Sequence, residues 1–140
     1  MGHIPVQNEW AMHMLDHWRD IARTPDAPGP VRVAAMAYGA VTGNGHVPRT
    51  DSDLAEALEI VNTRTGELFS PSMASVKRWR KDAVRYGLLG AGTWGRCLVL
   101  PAGVSTNLKV KGSPHVACLI CRNRTRQQGA RVQDLHRPAA

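Results

Sequence analysis

Between Ser70 and Pro101 the chain carries SPSMASVKRWRKDAVRYGLLGAGTWGRCLVLP, a stretch that few folds accommodate. Ser70 as N-cap with Pro71 at the first helical position opens a helix predicted over 71–86, and Gly87 supplies its stop. Val76, Trp79, Ala83 and Tyr86 recur at helical spacing and give that helix one apolar face. The other positions hold Lys77, Arg78, Arg80, Lys81 and Arg85 against Asp82 alone. Beyond the stop, Leu88-Leu89, the turn GAGTWG and the segment CLVLP read as a β-hairpin. The expected fold class is therefore α+β, mostly α, with a cationic helix left at the surface.

The rest of the chain supplies the partners this helix needs. Residues 8–23, NEWAMHMLDHWRDIAR, place Trp10, Met14, Trp18 and Ile21 on one stripe of an amphipathic helix. That stripe either packs on the main domain or pairs with its copy in a homodimer. TPDAPGP, residues 24–30, cannot continue a helix and forms a linker. VRVAAMAYGAVTG is a second helix of small apolar residues suited to close packing. Thr50 with Asp53 has the form of a capping box and starts a third helix in DSDLAEALEIV. NTRTGELF is turn-rich and suits a small hairpin or an ordered loop. The chain divides into an N-terminal amphipathic helix (1–24), a linker (25–30), a main domain (31–101) and a basic tail (102–140).

Charge follows the same division. Residues 1–70 carry five basic and nine acidic side chains, residues 71–108 six and one, and residues 109–140 seven and one. Positive charge thus begins at the cationic helix and continues to the end, which points to a polyanion, nucleic acid before membrane. No apolar run is long enough to span a bilayer, and MGHIPVQNEW lacks the features of a secretory signal. A cytoplasmic protein is expected, its three cysteines serving as reduced thiols or as metal ligands.

At this point the chain resembles the winged helix-turn-helix DNA-binding superfamily over roughly residues 31–101. Ser72, Ser75, Val76, Lys77 and Arg78, followed by Gly87, Leu88 and Leu89, resemble the S-x-x-T-V-x-R … G-L-L run of GntR-type regulators. Some phage and plasmid replication proteins carry the same run, and Leu54-Ala55-Glu56 resembles the L-A-E of a positioning helix. The segment between Leu54 and Val76 is about ten residues longer than the usual tight turn, and no subfamily is assigned. The resemblance implies a sequence-specific binder of double-stranded DNA, without enzymatic activity, acting as a transcription regulator. A replication or excision accessory role is the nearest alternative.

Helix geometry gives the candidate contacts their roles. Side chains early in a helix enter the major groove, and later cations meet phosphates. Ser72, Ser75, Lys77 and Arg78 are the expected groove residues, with Arg80, Lys81 and Arg85 on the backbone. Trp94, beside Thr93 and Arg96 at the hairpin tip, either enters a minor groove or packs over the hairpin.

HVACLIC forms a second constellation. Cys118 and Cys121 have the C-x-x-C spacing that lets two thiolates share one zinc ion, with His136, His115 or Cys97 as further ligands. Free thiols are the alternative, and a zinc-stabilised protein-interaction module is the rival function. His13 and His17, four apart, are read as surface or core-edge residues. The carboxylates Asp51, Asp53, Glu56 and Glu59 are read as a solvated face rather than a nuclease centre. No P-loop, dinucleotide-binding or catalytic-triad pattern is present.

Overall fold

The computed structural model describes residues 14–40, 44–101 and 118–135, with side chains up to residue 128. Their order is α1 (Leu15–Arg23), α2 (Gly29–Tyr38), β1 (His46–Val47), α3 (Asp51–Ala57), β2 (Ile60–Val61), β3 (Leu68–Phe69), α4 (Met73–Arg85), β4 (Leu98–Val99) and α5 (Leu119–Leu135). The class is α+β with small antiparallel sheets.

Helix α2 is central because its side chains are short. Val33, Ala34, Ala35 and Ala37 are buried, so α1 packs closely on one side and α4 on the other. Gly29, the first residue of α2, lies against the Trp79 indole of α4, and a methyl group there would overlap the ring. Trp18 of α1 stacks on Tyr38 with ring centroids 4.9 Å apart, and Ala22 is buried beneath it. Trp18 and Ile21 therefore pack on the main core, whereas Met14 is 75% exposed and Trp10 lies outside the described residues.

Among the described residues Arg32 is the largest fully buried side chain. Its Nε donates to the Ala22 carbonyl at 2.9 Å and its Nη1 to the Leu58 carbonyl at 3.5 Å. Both carbonyls lie at helix C-terminal ends, where unpaired oxygens attract a cation. One guanidinium thus fastens the ends of α1 and α3 to α2. Burial lowers its pKa from the ordinary arginine value, with Asp26 acting in the opposite direction.

The capping box at Thr50 is present in full. The Thr50 hydroxyl accepts from the Asp53 N–H at 3.1 Å, and the Asp53 carboxylate accepts from the Thr50 N–H at 2.8 Å. Those hydrogen bonds hold the Asp53 carboxyl below its usual value. NTRTGELF forms the turn and second strand of a hairpin in which Ile60 faces Phe69 and Val61 faces Leu68.

Helix α4 begins two residues later than its sequence suggests. Ser72, not Ser70, is the N-cap, its hydroxyl accepting from the Ser75 N–H at 3.2 Å. The sequence offers two serines around one proline, and the second has Ser75 at the right spacing. Gly87, with φ +75°, is the stop. The chain then reverses so that the Leu88 and Leu89 N–H groups both meet the Ala83 carbonyl. Tyr86 is 65% exposed, so the apolar face of α4 ends at Ala83 and Val84.

The strand pairing differs from the expected local hairpin. β4 pairs with β1, from before α3, in the register His46–Val99 and Val47–Leu98. The turn keeps some hairpin character through the Trp94–Cys97 bridge and the 2.7 Å bond from Gly90 N–H to the Val99 carbonyl. Burying Leu98 and Leu100 against the helices favours the long-range partner, and strand pairing of this kind leaves no local signature.

Candidate metal centre and cationic helix

The exposed row of α4 follows from the positions its core face leaves over. Val76 and Ala83 point inward. Lys77, Lys81 and Arg85 then fall four residues apart on the outside, with Arg78 beside them, and all four are exposed. None has an acidic partner within ion-pair distance among the described residues. Ser72 is exposed at the cap and Ser75 is half-buried behind it. Arg96, on the turn before β4, is also exposed.

Arg80 departs from its expected role as a phosphate contact. It lies on the inward face, four residues after Val76, and its side chain is 11% exposed. Nε donates to Asp51 Oδ1 at 2.8 Å and Nη2 to Asp51 Oδ2 at 3.1 Å, a two-pronged pair inside the protein. Asp51 begins α3, and its N–H donates to the Gly95 carbonyl at 3.2 Å. The pair therefore fixes α4, the start of α3 and the glycine turn relative to one another. Asp51 is therefore buried rather than part of a solvated acidic face, whereas Asp53, Glu56 and Glu59 are exposed as expected.

Trp94 takes the packing alternative. It is half-buried, its Nε1–H donates to Cys121 Sγ at 3.4 Å, and the Arg124 guanidinium stands 4.6 Å over its ring. The indole thus links the turn before β4 to helix α5.

At this junction four donor atoms meet. His46 opens β1, Cys97 immediately precedes β4, and the β1–β4 pairing brings the two together across 51 positions of chain. Cys118 directly precedes α5 and Cys121 lies in its first turn, three residues on, so the C-x-x-C spacing puts both sulfurs on one side. His46 Nδ1 is 3.5 Å from Cys97 Sγ and 3.6 Å from Cys121 Sγ, and Cys97 Sγ is 3.9 Å from Cys118 Sγ. All four donor atoms lie within 4.8 Å of one another. They form the single group of three or more such side chains, among the described residues, close enough to share an ion.

Local electrostatics differ from ligand to ligand. Burial pushes the Cys97 thiol far up, and the neighbouring Cys118 and Cys121 add to the shift. Burial alone would raise Cys118 too, but hydrogen bonds from the Cys121 and Ile120 N–H groups, together with those of the Cys121 and Cys97 side chains, bring the thiol down. Burial lowers the His46 imidazole, favouring the neutral ring that ligates metals.

Cys118, Cys121 and Cys97 were all legible as candidate ligands, and the structure assembles them. His46 was not, because nothing in its own neighbourhood marks it. His115 and His136 lie outside the described residues. No helix among the described residues is long and apolar enough to cross a membrane. Comparison with protein-family models, curated proteins and solved structures finds no match, so geometry carries the functional reading.

Proposed function

We propose that this protein binds double-stranded DNA sequence-specifically, inserting α4 into the major groove and acting as a transcription regulator in the cell interior. One observation carries the reading: an exposed row of Lys77, Arg78, Lys81 and Arg85 on a helix whose opposite face is locked into the core. A helix of that width fits the major groove, and its cations replace the counterions of the phosphates. The antiparallel pairing of β4 with β1, and the turn at Trp94–Arg96 beside α4, agree with a winged arrangement. In this reading Ser72 and the N–H groups of the first turn meet a phosphate, and Lys77 and Arg78 meet base edges. Arg96 extends the contact along the backbone. A metal in the His46–cysteine cluster, zinc by its donor chemistry, serves as a structural cofactor that secures the basic C-terminal helix beside this turn.

A protein-interaction role is the competing reading, and one observation favours it. The β2–β3 hairpin leaves Val61, Leu68 and Phe69 at 40%, 55% and 46% exposure, next to Met73 at 44%. Selection of bound sequences from a random duplex pool separates the two. A DNA reader enriches a defined site, and Lys81→Ala or Arg85→Ala flattens its log affinity–log salt slope by about 0.9 for each lost phosphate contact. A pool that is never enriched, with slopes unchanged in both variants, rejects the DNA reading. A homodimer remains part of the proposal only through residues preceding α1, since Trp18 and Ile21 serve the monomer's own core.

A further inference from the structure

We propose that His46, Cys97, Cys118 and Cys121 bind one zinc ion in a tetrahedral three-sulfur, one-nitrogen site, and that this ion fastens α5 to the β1–β4 strand pair.

The spacing of the donors fits the ion. A tetrahedral zinc with bonds of about 2.3 Å to sulfur and about 2.05 Å to nitrogen needs S···S separations near ~3.8 Å and S···N separations near ~3.6 Å. The Cys97–Cys118 separation is 3.9 Å, and His46 Nδ1 lies 3.5 Å from Cys97 Sγ and 3.6 Å from Cys121 Sγ. A disulfide needs sulfurs about 2.05 Å apart, and three thiols leave one over in any pairing. Three thiolates and an imidazole are a soft donor set, which selects zinc over magnesium or calcium.

Groups outside the four ligands are arranged for thiolates. The Trp94 Nε1–H points at Cys121 Sγ, and N–H groups at the start of α5 point at Cys118 Sγ. Such outer bonds orient the ligands of structural sites. Three thiolates around a dication leave one net negative charge, and Arg124 stacks on the Trp94 ring whose Nε1–H donates to Cys121 Sγ. On binding, three S–H bonds break, three protons pass to solvent and four metal–ligand bonds form, with nothing oxidised or reduced.

The ion also answers what holds α5 in place. From Leu119 to Gln128 no residue is fully buried, and Leu119 is 70% exposed. This part of the helix brings no apolar face of its own to the core. Its described side-chain links to the rest of the protein are the sulfur contacts and the Arg124–Trp94 stack. Metal binding supplies the missing attachment, as it does in small zinc domains.

The test uses the full chain and does not involve DNA, so it stands or falls apart from the DNA reading. The chain is stripped with a chelator and titrated with zinc, then separately with cobalt(II) as a spectroscopic probe. One equivalent should bind, with the intense thiolate-to-cobalt band and visible bands of a tetrahedral centre. His46→Ala should weaken zinc binding by more than the about 10- to 100-fold typical of an outer-shell loss. His46→Cys should recover it, and His115→Ala and His136→Ala should leave it unchanged. Hydrogen exchange covers any variant that fails to fold: chelating the wild-type chain should remove protection from α5 while α2 and α4 keep theirs. An octahedral cobalt spectrum without thiolate bands, zinc binding lost in His136→Ala but not in His46→Ala, or α5 protection indifferent to chelation would each overturn the proposal.

Discussion

Asp51→Ala is expected to destabilise the protein by about 3–5 kcal/mol, because it leaves the Arg80 guanidinium buried with no counter-charge. Asp51 and Arg80 are both almost fully buried and share two short hydrogen bonds. The reverse change, Arg80→Met, should cost less. The abandoned carboxylate sits in the first turn of α3, where free N–H groups and the helix dipole favour a negative charge. The double variant should therefore be more stable than the sum of the two losses implies, with a coupling of about 1–3 kcal/mol by chemical denaturation. The same pair of variants decides the role of Arg80. As a structural residue, its loss lowers the melting temperature and leaves the salt dependence of DNA binding unchanged. As a phosphate contact, it would do the opposite.

Arg32→Ala should destabilise by a similar amount, about 3–5 kcal/mol, through two separable losses. It empties a fully buried side-chain volume, and it takes a charged donor from two carbonyls that close α1 and α3. Arg32→Met refills most of the volume and leaves the carbonyls without their donor. It should recover only part of the stability. At this chain length the Ala variant would lower the melting temperature by on the order of 10–15 °C. Full recovery in the Met variant would show that packing, not the cation at two helix ends, is what Arg32 supplies.

The parts of this fold legible in the sequence are those encoded within one turn of chain. Thr50 and Asp53 announce their capping box, and Gly87 marks the end of α4, because the atoms involved are three or four residues apart. The linker prolines place the break between α1 and α2 for the same reason, although α2 starts at Gly29, inside that linker. What the sequence hides depends on distant partners. Arg80 reads as one more surface cation until Asp51, 29 residues earlier, is found opposite it. Its position four residues after Val76, on the inner stripe, was the available clue.

The metal cluster divides along the same line. Cys118 and Cys121 are visible because one helical turn sets their spacing, and Cys97 because thiols are few. His46 reaches Cys121 across 75 positions of chain, through a strand pair that has no motif. Proximity in sequence favours His115 or His136 instead. A histidine opening a short strand just before a capping box is a weak pattern, and the β1–β4 register gives it meaning. Trp94 follows the same logic: its place at a turn tip leaves groove contact and packing both open, and Cys121 at its edge with Arg124 over its ring gives the packing alternative.

If α4 reads DNA as proposed, its cations should divide by position along the helix. Arg78, in the second turn, can make two hydrogen bonds to guanine O6 and N7, worth about 1–3 kcal/mol of discrimination. Arg85, the last residue of α4, can only reach phosphate as the groove curves away. The deciding measurement is a binding matrix of the wild type, Arg78→Ala and Arg85→Ala against every single-base change in the selected site. Arg78→Ala should relax preference at one or two base positions, and Arg85→Ala should weaken all sequences alike. Equal, sequence-independent losses from both variants would contradict the claim and leave a basic surface that holds DNA without reading it.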